Sequence, residues 1–171
     1  LFFLFYNSIL AQNIRPTHIP NLCLWLKADS NIVLNGTNVT QWNDCSGNNY
    51  NTTQTVSNLQ PKFIDNFLNT KPVIRFDGTD DILDGVIIPD INTSSITIFV
   101  IASGSTMATG ERGIFSINDY SNGFWLERGT STQSLVIWNV NQFIRGSNDL
   151  LNTGFNFKLL SAKKELNTRT T

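Results

Sequence analysis

The chain has 171 residues, enough for one domain with a sizeable core and too few for two ordinary ones. Hydrophobic residues make up 40% of it and charged residues only 15%, so amides and hydroxyls must supply its solubility. The formal net charge is −1 and there is no basic stripe. This excludes the electrostatic signature of a nucleic-acid-binding or membrane-surface protein.

The first eleven residues are strongly apolar and end in small and polar residues. This pattern predicts part of a signal peptide over residues 1–11, because the run is shorter than the roughly twenty apolar residues that span a bilayer. The alternative is a buried N-terminal strand. Residues 12–20 predict an extended linker, since Pro16 and Pro20 block helical and ladder hydrogen bonds. We therefore expect a secreted or cell-surface protein with no membrane insertion.

Residues 21–171 predict a single all-β domain. Short β-branched and aromatic runs alternate with turns such as Asn35-Gly36, and no window keeps an apolar period of 3.6 residues. Many short strands at this spacing indicate a sandwich or barrel. The predicted strands are residues 22–27, 39–42, 72–76, 82–88, 95–102, 113–117, 124–128, 135–140 and 155–161.

Cys23 and Cys45 fit an exported protein but leave two interpretations open. A disulfide between them would close a loop of about twenty residues and stabilise the fold by roughly 3 kcal/mol. Two buried free thiols are the alternative, because unpaired cysteine is among the most buried residue types.

Several motifs follow one another in an order typical of one kind of β-sandwich. They are residues 24–29 (LWLKAD), 42–49 (WNDCSGNN), Pro61 and residues 71–83 (KPVIRFDGTDDIL). In these motifs the chain resembles the concanavalin A-like, or laminin G-like, jelly-roll modules of secreted bacterial surface proteins. The resemblance is clearest over residues 19–102.

This resemblance implies a two-sheet antiparallel jelly-roll sandwich. Such modules commonly bind carbohydrate or mediate adhesion beside other domains of the same polypeptide, so polysaccharide or a cell-surface glycan is the expected partner. We expect residues 21–171 to be C-terminally incomplete, because the chain stops before the last strands of a full jelly roll. The alternative function is a structural spacer or protein-interaction module without a glycan ligand.

The turn after the third predicted strand carries three carboxylates, Asp77, Asp80 and Asp81. Clustered carboxylates suit Ca²⁺, with Asp84 and Asp44 as further candidate ligands. Aspartate is also a natural turn former that bonds its own backbone, and the spacing is not that of an EF-hand. We therefore favour a structural turn over a calcium site. By the same logic Asp44 and Ser46 are expected to cap a turn next to Trp42.

A glycan site needs aromatic faces with amides and carboxylates nearby. The late strands and their loops supply that mixture, although ordinary sandwich core is an alternative role for both tryptophans. The candidate ligand-binding residues are Tyr120, Trp125, Glu127, Trp138, Asn139 and Asn141.

Catalysis is poorly supported. Glucanases of this fold carry Glu-x-Asp-x-x-Glu on one strand, whereas the three glutamates here, Glu111, Glu127 and Glu165, have no acidic residue two positions later. The one histidine, His18, lies in the linker and cannot form a triad or a two-histidine metal site. We therefore predict a non-enzyme. A glycoside hydrolase whose acids lie outside these residues is a third hypothesis.

Overall fold

The computed structural model describes residues 15–89, 95–103, 112–117, 124–128, 135–139, 142–145 and 157–164. In this part of the chain, eleven strands lie in antiparallel sheets, and the helices are two three-residue 3-10 turns, Pro16–His18 and Ser57–Leu59. The all-β prediction is confirmed. The chain divides into two compact units, Leu1–Val86 and Ile87–Thr171.

The first unit contains one five-stranded sheet. Its strands are β1 (Ile32–Asn35), β2 (Asn38–Trp42), β3 (Thr52–Thr53), β4 (Lys62–Leu68) and β5 (Lys71–Arg75). They run in the order β1-β2-β4-β5, with β3 paired to β2. The β1–β2 and β4–β5 connections are two-residue turns, whereas the β2–β3 and β3–β4 connections are longer loops. Three of the four pairs of consecutive strands are neighbours in the sheet, and β3 and β4 are the exception.

Two hairpin turns of this sheet use left-handed backbone conformations. The predicted Asn35-Gly36 turn is confirmed, and Gly36 has a φ of 64°. The β4–β5 hairpin closes through Asn69 and Thr70, with φ values of 48° and 63°. Glycine adopts such values without strain, whereas a β-branched residue such as Thr70 does so at a cost in energy.

The core of the first unit lies around Val39 and Pro61, whose side chains are fully buried. The Val39 N–H donates to the Pro61 carbonyl at 2.8 Å. Two buried glutamines join the neighbouring loops: Gln60 Nε2 donates to the Gln54 carbonyl at 2.8 Å, and Gln54 Nε2 donates to the Ile82 carbonyl at 3.3 Å. These side-chain amides donate hydrogen bonds to loop carbonyl groups that have no partner in a strand ladder.

The second unit contains two sheets. Strands β7 (Arg112–Ile117), β8 (Phe124–Arg128), β9 (Leu135–Asn139) and β10 (Gln142–Arg145) form a four-stranded meander in the order β10-β9-β8-β7. Strand β6 (Ile96–Ala102) pairs with β11 (Lys158–Lys164). This second sheet buries Leu160, while Phe99, Ile101 and Leu159 on its alternate face are 66%, 67% and 68% exposed.

Several strand predictions are wrong. Residues 22–27 and 82–88 contribute only single bridges, Leu26 with Asp44 and Asp84 with Thr53. In residues 22–27, side chains of the 44–48 turn rather than a ladder bond to the backbone. Strands β1, β3, β4 and β10 were not predicted. The linker is not extended throughout, since residues 16–18 form a 3-10 turn.

Other predictions lie outside these findings. Residues 1–14, with the signal-peptide segment, fall outside the described residues. The jelly-roll domain over residues 21–171 stays a prediction. Cys23 and Cys45 are free thiols, as in the second of the two cysteine interpretations, but each is half-buried rather than buried.

Candidate functional site

Strands β8 and β9 bring the two late tryptophans together. Trp125 and Trp138 occupy directly opposed positions in an uninterrupted antiparallel register. Directly opposed residues lie on the same face of a sheet, with Cβ atoms about 5 Å apart. The sequence predicted both residues as ligand-binding candidates, and the fold places their positions side by side.

The row through these tryptophans crosses the whole meander. Ser116 on β7 is opposed to Trp125, and Phe143 on β10 is opposed to Trp138. Because side chains alternate along a strand, positions two residues away share this face. We call it the tryptophan face; its positions are Gly113, Ser116, Trp125, Glu127, Val136, Trp138, Phe143 and Arg145.

The opposite face of the meander has a different composition. One of its rows runs through Phe115, Leu126, Ile137 and Ile144, all of them apolar. On β7, where the side chains are described, Phe115 is half-buried and its neighbour Ser116 is exposed. An apolar row paired with a mixed row is the pattern of an antiparallel sheet with one packed face and one face toward water.

The structure divides the predicted ligand-binding residues. Trp125, Glu127 and Trp138 fall on the tryptophan face. Asn139 is opposed to Phe124 and Gln142, so it lies in a row of the other face. Tyr120 and Asn141 lie outside the described residues.

Sequence reasoning missed Phe143 and Arg145. Strand β10 follows β9 after two residues, Val140 and Asn141, and such a hairpin lacks the Asn-Gly or Asp-Gly signature. The signal that was available is an aromatic next to a β-branched residue, Phe143-Ile144, directly after a predicted strand.

The aspartate turn is a second candidate, in the first unit. Asp77 Oδ1 accepts hydrogen bonds from the N–H groups of Thr79, Asp80 and Asp81 at 2.7, 3.2 and 3.4 Å. Gly78 between them has a φ of 76°. Carboxylate oxygens of Asp77, Asp80 and Asp81 lie within 4.8 Å of one another. The group is therefore a bonded turn whose spacing also suits a cation.

The two ends of this turn differ in their titration. The hydrogen bond from the Thr79 N–H, helped by those from Asp80 and Asp81, lowers the pKa of Asp77. Burial raises the pKa of Asp81, and the charges of Asp77 and Asp80 add to that rise. Only the smaller contribution to this raised pKa, the repulsion from Asp77 and Asp80, is what a bound cation would relieve.

Asp44 has a structural role, because hydrogen bonds from the protein already occupy both of its carboxylate oxygens. Its carboxylate accepts hydrogen bonds from the Trp25 N–H at 2.9 Å, from the Ser46 N–H and hydroxyl at 2.8 and 2.7 Å, and from the Tyr50 N–H at 3.1 Å. The side chain is only 9% exposed. The predicted turn cap next to Trp42 is confirmed, and Asp44 also ties residues 25 and 50 to that turn.

Comparison with known families, curated proteins and solved structures found no match to this chain. Among the described residues, no helix has the length and apolar character needed to cross a membrane.

Proposed function

We propose that this chain is a non-catalytic, secreted module that binds polysaccharide or a cell-surface glycan within a larger exported protein. Its fold, in this proposal, is a concanavalin A-like jelly-roll sandwich. The antiparallel all-β architecture and the order of the motifs over residues 24–83 support that assignment.

The observation that carries the proposal is the opposed pair Trp125 and Trp138. Indole rings offer large, rigid apolar surfaces with a polar N–H, the combination that suits a sugar ring. Glu127, two positions from Trp125 on the same face, adds a carboxylate that can accept hydrogen bonds from sugar hydroxyls. The exposure of Ser116 in the same row supports access from solvent.

The non-catalytic part of the proposal rests on the carboxylates. A retaining glycosidase places two of them about 5 Å apart across the scissile bond. The tryptophan face has one acidic position, Glu127, and its row continues with Val136 and Arg145. This arrangement supports binding rather than hydrolysis.

A specific observation favours a second function, a protein-interaction module without a glycan ligand. Phe99, Ile101 and Leu159 form an apolar face of the β6–β11 sheet, each more than half exposed. Contiguous exposed apolar patches commonly mark interaction sites. This function predicts that the Ile101→Ser/Leu159→Ser double variant changes the association state measured by sedimentation. It also predicts that no polysaccharide retains the unaltered chain.

Retention of the purified chain on polysaccharides tests the first function. The panel is cellulose, chitin, curdlan, xylan and mannan as uncharged polymers, with alginate and polygalacturonate as charged ones. We expect retention on at least one polymer, abolished in the Trp125→Ala/Trp138→Ala double variant. The matched control is Phe76→Ala, which removes a 44%-exposed aromatic from the first unit and is expected to leave retention unchanged. Absence of retention on every polymer contradicts the proposal.

A further inference from the structure

We propose that the tryptophan face binds an unbranched, uncharged polysaccharide whose chain runs across the strands, with Phe143 as a third aromatic position beside Trp125 and Trp138. This inference rests on the proposed function and specifies its ligand. It adds a binding residue that the sequence pattern alone did not indicate.

The direction of the ligand follows from how the aromatic positions are arranged. On the tryptophan face three of the four strands have a single aromatic position each: Trp125 on β8, Trp138 on β9 and Phe143 on β10. The β7 position of the same row is Ser116. No strand of the meander has two of them on this face, so a ligand lying along a strand meets one aromatic position only. A ligand lying across the strands meets all three.

The length of the row sets the length of the ligand that it can contact. Adjacent strands lie about 4.8 Å apart, so the positions of Trp125 and Phe143 are separated by about 10 Å. One aromatic position per strand gives a regular series of three contacts. A chain of sugar rings in extended form repeats its apolar faces regularly, whereas a branched glycan does not.

The charge of the face indicates an uncharged polymer. Its acidic position is Glu127 and its basic position is Arg145, and Val136 lies between them in the same row. The formal charges cancel, so neither a polyanion nor a polycation finds an excess of opposite charge. Carboxylate and guanidinium groups instead supply an acceptor and donors for hydroxyls at the two sides of the row.

Isothermal titration calorimetry of the full chain tests this inference with oligosaccharides of the retained polymer, from the monosaccharide to the hexasaccharide. We expect the affinity to rise up to the trisaccharide and then to level off, with little change between low and high salt. Phe143→Ala should weaken trisaccharide binding by about 3- to 10-fold. It should leave disaccharide binding nearly unchanged, because two rings are held at Trp125 and Trp138.

The titrations with oligosaccharides of increasing length use the unaltered chain, so their outcome does not depend on whether a variant folds. Equal affinity for the monosaccharide and the hexasaccharide overturns the inference, as does retention only on alginate or polygalacturonate with steep salt dependence. Unchanged trisaccharide affinity in a folded Phe143→Ala variant also overturns it. In these cases the chain still binds polysaccharide and the proposed function stands; if no polymer is retained at all, both fail.

Discussion

Asp77 and Asp81 hydrogen-bond to each other's backbone across the turn after β5. Asp81 Oδ2 accepts from the Asp77 N–H at 2.7 Å, and Asp77 Oδ1 accepts from the Asp81 N–H at 3.4 Å. This reciprocal pair closes residues 77–81 into a loop in which each carboxylate satisfies the other residue's N–H. The turn that most resembles a calcium site is thus stabilised by hydrogen bonds from its own backbone N–H groups to its own carboxylates.

The first prediction separates the shape of Asp77 from its charge. Asp77→Asn keeps an oxygen that can accept hydrogen bonds from the N–H groups of Thr79 and Asp80, whereas Asp77→Ala removes this acceptor. We expect the urea midpoint to fall clearly in the alanine variant and much less in the asparagine variant. Equal losses in the two variants would mean that charge, rather than turn bonding, is what Asp77 contributes.

The second prediction concerns Ca²⁺. Because backbone N–H groups already use Asp77 Oδ1 and Asp81 Oδ2, we expect thermal unfolding to be the same in millimolar Ca²⁺ and in chelator. A ligand that binds only the folded state must raise the midpoint by mass action. A calcium-dependent rise that Asp80→Asn abolishes would instead establish a cation site at this turn.

The third prediction is an acid-sensitive contribution of Asp44. Burial alone would raise the pKa of this carboxyl, but the hydrogen bonds from Ser46, Trp25 and Tyr50 outweigh it and lower the pKa below 3.8. A lowered pKa stabilises the fold above the unfolded value, and this stabilisation is lost as the pH falls through the folded value. Stability measured by urea unfolding should therefore decline on the acid side of pH 4.

Removing this carboxylate should also show at neutral pH. Asp44→Ala removes the acceptor of three part-buried N–H groups, those of Trp25, Ser46 and Tyr50. We expect a loss of about 3 kcal/mol in the free energy of unfolding at pH 7, and a weaker dependence of that free energy on pH below 4. The control is Asp65→Ala, since Asp65 is exposed on β4 and, among the described residues, its carboxylate accepts hydrogen bonds only from its neighbour Asn66. A surface change of this kind shifts stability by less than about 0.5 kcal/mol.

The fourth prediction compares two hairpin turns with the same left-handed backbone conformation, one with threonine and the other with glycine at that position. Thr70 has a φ of 63°, a conformation that costs a non-glycine residue about 1 kcal/mol, so Thr70→Gly should stabilise the chain by about that amount. Gly36 has nearly the same φ, 64°, and an added Cβ there meets no atom within 4 Å. Gly36→Ala should therefore destabilise through backbone strain alone. Equal signs for the two changes in urea unfolding would contradict this explanation.

The fold class was predictable from the sequence, and the pairing partners were not. Residues 95–102 and 124–128 are runs with β-branched or aromatic residues, flanked in the sequence by turn-forming residues, and strands β6 (Ile96–Ala102) and β8 (Phe124–Arg128) lie there. Residues 22–27 show the same alternation, yet their backbone bonds to Asp44, Ser46 and Asn48, about twenty residues away. A local pattern contains no information about such tertiary partners.

The candidate site was predictable by residue type and not by arrangement. A period of two assigns Trp125 and Glu127 to one face of a strand, but a one-residue slip in register would change every cross-strand partner. The opposition of Trp125 to Trp138, and of Trp138 to Phe143, emerges only when the register is known. Asn139 was included for its amide, while its place in the alternation puts it on the other face.

The central claim, that Trp125 and Trp138 form one sugar-binding surface, is tested most directly by calorimetry with the retained polymer's trisaccharide. We predict that Trp125→Ala and Trp138→Ala each weaken binding by about tenfold. The midpoint of unfolding should change little in either variant. The double variant should bind no sugar. Full affinity in a folded double variant would contradict the claim and leave the protein-interaction function as the better account.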